Sequence, residues 1–104
     1  MVIEADKFTF DEYIKEACIV DFFTTGCPSC EKFSTVYEQV APKHSEYQFI
    51  KVNLDDDLTL AERYGISHIP TVIKFVKGKP VKTTTGYMDD TAFVEFIEGE
   101  EAAE

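Results

Sequence analysis

The chain's 104 residues are 44% hydrophobic and 13% aromatic, with ten basic against twenty acidic side chains and a formal net charge of −10. This is the length of one domain, residues 1–104, with apolar material enough for a packed core. The negative charge argues against nucleic acid and anionic membrane surfaces as partners, and no run of about 18 apolar residues offers a transmembrane span.

The opening segment, Met1-Val2-Ile3-Glu4-Ala5-Asp6, has neither the basic start nor the apolar core of an export signal, and Val2-Ile3-Glu4 within it predicts a short strand. Thr9 or Asp11 can cap a helix running through Glu16, with Phe10, Tyr13, Ile14 and Ala17 along one apolar face. Cys18 to Phe23 is nearly all apolar, the pattern of a strand covered on both sides. A long helix from Ser29 puts Phe33, Val36, Tyr37, Val40 and Ala41 on one stripe, and Pro42 kinks or ends it. Tyr47 to Leu54 predicts a second central strand. Asp55-Asp56-Asp57 then offers caps for a helix from Leu58 to Tyr64, which Gly65 stops. Thr71 to Val76, a turn over Lys77-Gly78-Lys79-Pro80, and a returning strand from Val81 to Thr85 make a hairpin. Asp89 caps a last helix through Ile97 that faces Phe93, Phe96 and Ile97 inward, and residues 98–104 form an acidic tail expected to fray. The order β-α-β-α-β-α-β-β-α predicts an α/β domain with a mixed central sheet and helices on both faces.

The chemistry concentrates at Cys27-Pro28-Ser29-Cys30, between the apolar strand and the long helix. Two thiols three residues apart can close a disulfide on each other. At the first turn of a helix, unpaired N–H groups and the positive end of the dipole stabilise an anion, so Cys27 there gains thiolate character, the nucleophile of disulfide exchange. A static disulfide, half a zinc site and a pair of inert thiols are the competing readings. Zinc normally needs four ligands and the chain has no second Cys-x-x-Cys. The acidic runs at Asp55-Asp56-Asp57 and Glu98-x-Glu100-Glu101 lack the spacing of a calcium loop, so no metal is expected. Three cysteines, an odd number, without an export signal point to a reducing, cytoplasmic setting and to catalytic rather than framework thiols.

Taken together, these segments resemble the thioredoxin family over essentially the whole chain. Val20-Asp21-Phe22-Phe23 followed by Cys27-x-x-Cys30 looks like its active-site segment, and Lys51-Val52-Asn53-Leu54-Asp55 like its central strand. Tyr64-Gly65-Ile66-Ser67-His68-Ile69-Pro70-Thr71 is similar to its cis-proline segment, and Phe75-x-x-Gly78 and Gly86 match its hairpin turn and the glycine before the last helix. The chain departs from the family in three places. Gly26 stands where Trp usually precedes the first cysteine, Pro28-Ser29 replaces Gly-Pro between the cysteines, and Thr35 replaces the mid-helix proline. The resemblance implies the thioredoxin fold and a monomeric dithiol–disulfide oxidoreductase acting on protein disulfides, with Cys27 attacking and Cys30 resolving. It also implies a cis bond before Pro70, electrons drawn from a thioredoxin reductase, and no cofactor beyond the cysteine pair.

Asp21 is the sharpest secondary signal. Buried in a central strand it would hold its proton toward neutral pH, opposed by a nearby Lys51, and could take the Cys30 proton; the plainer reading is a solvated charge at a strand end. Lys51 could equally face outward. A cis Pro70 would turn the Ile69 backbone toward Cys27, where its N–H and C=O can pair with a substrate strand. Pro28, Ser29, Ile69, Pro70 and Gly86 are therefore the expected substrate-binding residues. His68 reads as a surface loop residue or as a neighbour of Cys27, His44 as a helix end, and Cys18 as small core filling. Pro28 also suggests a glutaredoxin-like, glutathione-linked enzyme, against which stand Asp21, Lys51 and the net charge. A non-catalytic binding module using Ile69–Pro70 and Gly86–Tyr87 is the rival from another class.

Overall fold

Cys18–Phe23, apolar on both sides apart from Asp21, forms β2, the middle strand of a five-stranded sheet, and its first five residues are buried. This computed structural model describes residues 2–99. Around β2 the chain runs β1 (Val2–Ala5), α1 (Phe10–Tyr13), β2, α2 (Pro28–Val40), a 3₁₀ turn (Ala41–Lys43), β3 (Gln48–Asn53), α3 (Thr59–Arg63), β4 (Thr71–Val76), β5 (Lys79–Thr85) and α4 (Asp90–Glu98). The sheet order is β1-β3-β2-β4-β5. β1, β3 and β2 are parallel, β4 runs antiparallel to β2, and β5 runs antiparallel to β4.

Side chains alternate across a strand, so β2 feeds two cores. Cys18, Val20 and Phe22 pack with Phe10 of α1 and Leu60 and Ala61 of α3. Ile19, with Phe49 of β3 and Val72 of β4, packs against Phe33, Tyr37 and Val40 of α2 and Phe93, Phe96 and Ile97 of α4. Asp21 and Lys51 fall on this second face by alternation, directly across from each other in the β2–β3 register. The mixed sheet with helices on both faces is the predicted architecture.

Element ends differ from the sequence expectation for identifiable reasons. α1 stops at Tyr13 rather than Glu16: the Lys15 and Glu16 amides turn to the i−3 carbonyls of Glu12 and Tyr13, both at 3.4 Å, and the Ile14 carbonyl accepts from the Gly78 amide at 2.8 Å. Its entry is fixed by Asp6, whose carboxylate accepts from the Phe8 and Thr9 amides at 2.9 and 3.0 Å, and not by a Thr9 or Asp11 cap. α2 ends at Val40, and Pro42 falls inside the 3₁₀ turn that follows. The hairpin turn is only Lys77-Gly78, both at positive φ (54° and 82°), so Lys79 and Pro80 belong to β5. Pro80 is tolerated there because β5 is an edge strand and the β4–β5 register shifts between Lys74 and Phe75. His44 is buried after the 3₁₀ turn, with Nδ1 3.8 Å from the carboxylates of both Glu46 and Glu98. Asp89 caps α4 by accepting from the Ala92 amide at 2.9 Å; of the tail expected to fray, 98–104, Glu98 is the last residue of α4 with Gly99 as its C-cap, and residues 100–104 lie outside the described residues.

Tyr37 ties α2 to the sheet. Its fully buried hydroxyl lies 2.8 Å from the carbonyls of Ile19 and Ile50 and accepts from the Ile50 amide at 3.1 Å. Tyr37→Phe keeps the ring but removes these buried hydrogen bonds, a loss of about 1–3 kcal/mol in a urea unfolding curve. An unchanged midpoint would show that the hydroxyl adds nothing.

Candidate active site

The site forms where β2 ends and α2 begins. The loop between them is fixed from the neighbouring strand and the loop that follows it. The Leu54 amide donates to the Phe23 carbonyl at 2.8 Å, the Thr25 amide donates to Asp55 at 2.8 Å, and Asn53 Nδ2 donates to Thr25 Oγ1 at 3.2 Å. Asp55 was expected only as part of a capping run; it anchors the loop that delivers Cys27, while Asp57 accepts from the Thr59 amide at the start of α3. Gly26, where the family carries Trp, adopts φ 76°, a left-handed conformation that favours glycine.

Cys27 is the N-cap of α2. Its Sγ accepts from the Cys30 amide at 3.2 Å and lies 3.5 Å from Ser29 Oγ, while its carbonyl accepts from Glu31 N–H at 3.0 Å. Pro28 occupies the first turn, where a missing N–H leaves nothing unpaired. Cys27 and Cys30 are joined by a disulfide, with Cα atoms 5.2 Å apart. Of the two, Cys30 is buried at 3% exposure and Cys27 is only partly so.

Asp21 is buried beneath α2 at 1% exposure, and burial pushes its carboxyl up to about 7, against the opposing pull of Lys51. The reading of a solvated strand end is thereby corrected. The expected Asp21–Lys51 partnership acts only through space. The Lys51 ammonium donates to Ser34 Oγ at 2.7 Å and lies 4.8 Å from the Phe23 ring centroid, while Asp21 Oδ1 has no hydrogen-bond partner. A cavity of about 200 Å³ opens beside Lys51, lined also by Cys30, Gly26, Glu31 and Ser34 among others.

The Ile69–Pro70 bond is cis, and the Pro70 carbonyl accepts from the Gly86 amide at 2.7 Å, with Gly86 at φ 91°. The two expected binding segments are thus stapled together. His68 is exposed, with Nδ1 3.1 Å from Ser67 Oγ. Cys18 is fully buried, and burial pushes its thiol up to about 12, the state of a core residue. Among the described residues no group of three or more His, Cys, Asp or Glu side chains is arranged to hold a metal, and no helix is long and apolar enough to cross a membrane. Sequence reasoning missed Ser34; only its place one helical turn after Cys30, on the side of α2 above the sheet, could have signalled it.

Comparison with known proteins agrees with this geometry. The family model described as Thioredoxin matches residues 1–99. A thioredoxin of Mycoplasma genitalium is 35% identical over 83 residues, covering 80% of this chain and 81% of the relative. One from Chlamydia caviae is 34% identical over 97 residues, covering 92% and 93%. The solved structure of Plasmodium falciparum thioredoxin superposes with a TM-score of 0.86 at 30% identity, covering 92% of this chain and 96% of that one. The chain belongs to the thioredoxin family, whose members are thiol–disulfide oxidoreductases.

Proposed function

We propose that this single domain, residues 1–104, reduces protein disulfides in the cytoplasm as a monomer, cycling Cys27 and Cys30 between dithiol and disulfide with no further cofactor. The observation that carries this reading is the asymmetry of the pair: a partly exposed cysteine at the start of a helix and a buried partner in its first turn. The Cys27 thiolate attacks a substrate sulfur and expels the other as a thiolate. Cys30, its proton passed to Asp21, then attacks Cys27, releasing the reduced substrate and restoring the Cys27–Cys30 disulfide. Two electrons from a thioredoxin reductase regenerate the dithiol.

The helix N-terminus favours the Cys27 thiolate, and Ser29 Oγ stands within reach of its sulfur. Asp21 serves as proton acceptor with Lys51 as its electrostatic neighbour. Pro28, Ser29, Ile69, Pro70 and Gly86 form the substrate surface, the Ile69 backbone supplying strand-like hydrogen bonds. In the reduced protein at pH 7, Cys27 should be alkylated by iodoacetamide well before Cys30. Peptide mapping that finds Cys30 labelled first would reverse the assigned roles.

Insulin reduction tests the function and its electron source together. Turnover is expected with NADPH and thioredoxin reductase and not with glutathione and glutathione reductase. The glutathione tripeptide is anionic and would approach a chain of net charge −10. Efficient turnover with glutathione alone would replace this reading with the glutaredoxin-like one.

A further inference from the structure

Asp21 and Lys51 are register partners on adjacent parallel strands and project toward the same helix, yet they do not pair. An ammonium beside a buried carboxylate ordinarily closes the ion pair, because in a medium of low polarity the attraction is far stronger than in water. Here the ammonium is bound instead to Ser34 Oγ at 2.7 Å, on α2, and rests over the Phe23 ring. The carboxylate is left with an unpartnered oxygen. The cavity meets Ser34, Lys51 and Cys30, so the same space joins the diverted charge to the buried thiol.

We propose that Ser34 is a positioning residue: by taking the Lys51 ammonium onto its hydroxyl, it keeps Asp21 a proton carrier instead of the ionised partner of a salt bridge. This rests on the assignment of Asp21 as the proton acceptor for Cys30. A direct ion pair would favour the ionised form of Asp21 and make it a weaker base for a thiol. With the charge parked on Ser34, burial outweighs the remaining pull of Lys51, and the carboxyl titrates at about 7.

Other groups around the pair do not substitute for Ser34. On α2, Glu31 lines the cavity, and Tyr37 and Glu38 lie one turn on, Tyr37 neutral and held by the sheet. From β4, Lys74 shares the face of Val72 two residues away, with its ammonium 4.8 Å from the Tyr47 ring centroid. α4 contributes apolar Phe93, Phe96 and Ile97, and Cys18 points to the opposite core. Ser34 is therefore the neutral acceptor that decides where the Lys51 charge sits.

The test is the Asp21 carboxyl titration, followed by ¹³C NMR in the oxidised protein, for wild type, Ser34→Ala and Ser34→Thr. Without the hydroxyl, Lys51 is expected to turn to Asp21 and lower the midpoint by about one pH unit, a tenfold loss of proton affinity. Ser34→Thr keeps a hydroxyl and should restore the wild-type midpoint. A midpoint that stays or rises in Ser34→Ala, or a threonine variant that behaves like alanine, overturns the proposal. The pH–rate profile for release of the mixed disulfide separates the two ideas. If it moves with the carboxyl, both stand. If the carboxyl titration moves and the rate profile does not, Ser34 positions Lys51 as proposed and Asp21 is not the base.

Discussion

Cys27→Ser is expected to reduce insulin reduction by at least about 1000-fold, because a serine hydroxyl at neutral pH is a far poorer nucleophile than a thiolate and cannot form the mixed disulfide. Cys30→Ser should fail differently. Its Cys27 remains at the head of α2 and still attacks, but nothing resolves the product, so the enzyme accumulates as a covalent adduct with its substrate. Mass spectrometry after incubation with a protein disulfide should find that adduct on Cys27 in Cys30→Ser and no adduct in Cys27→Ser. Cys18 does not interfere, being fully buried with its thiol pushed up to about 12. Multiple turnover by Cys30→Ser at the wild-type rate, or an adduct found on Cys30 in Cys27→Ser, would dismantle the two-cysteine cycle.

What the sequence made legible was what depends on periodicity and on local backbone chemistry. Cys18–Phe23 and Thr71–Val76 were bounded correctly because a strand covered on both sides must be apolar along its whole length. The head of α2 was legible to within one residue: the apolar stripe places the helix from Ser29, and it begins at Pro28, where a proline is tolerated in the first turn. Several of the errors lie where a distant part of the chain decides the outcome. The Ile14 carbonyl just past α1 accepts an amide from the β4–β5 turn, and Pro80 sits in a strand only because that strand is at the edge. Asp55 reads as one of three acids in a row until the fold brings the Thr25 amide to it. The Lys51–Ser34 bond crosses from β3 to α2, over 17 residues, and no local pattern encodes which neighbour an ammonium will choose. The site's atoms were therefore readable one by one, while their pairing was not.

Asp21→Asn is the second large effect, and it separates stability from catalysis. The carboxyl titrates at 3.8 in its ordinary state and at about 7 in the folded protein, chiefly because it is buried. The fold thus favours the neutral form. Any stability this residue contributes is fully present below pH 3.8, falls as pH rises through the window to about 7, and is gone above it. By linkage the fall is on the order of 4 kcal/mol. Asparagine cannot ionise and lacks that slope, but must bury an amide whose hydrogens have no better partners than the orphaned oxygen had, which offsets part of the gain. In urea unfolding, the variant should therefore lie close to wild type at pH 4 and exceed it by about 1–3 kcal/mol at pH 8.5. Its activity should move the other way. With no carboxylate to accept the Cys30 proton, release of the mixed disulfide should slow between pH 6 and 8, by about 10- to 100-fold, the range of one general base. Stability curves that run parallel from pH 4 to 8.5 would mean that Asp21 is ionised throughout. A variant more stable at high pH but unimpaired in resolving the mixed disulfide would leave Asp21 as a buried liability with no part in proton transfer.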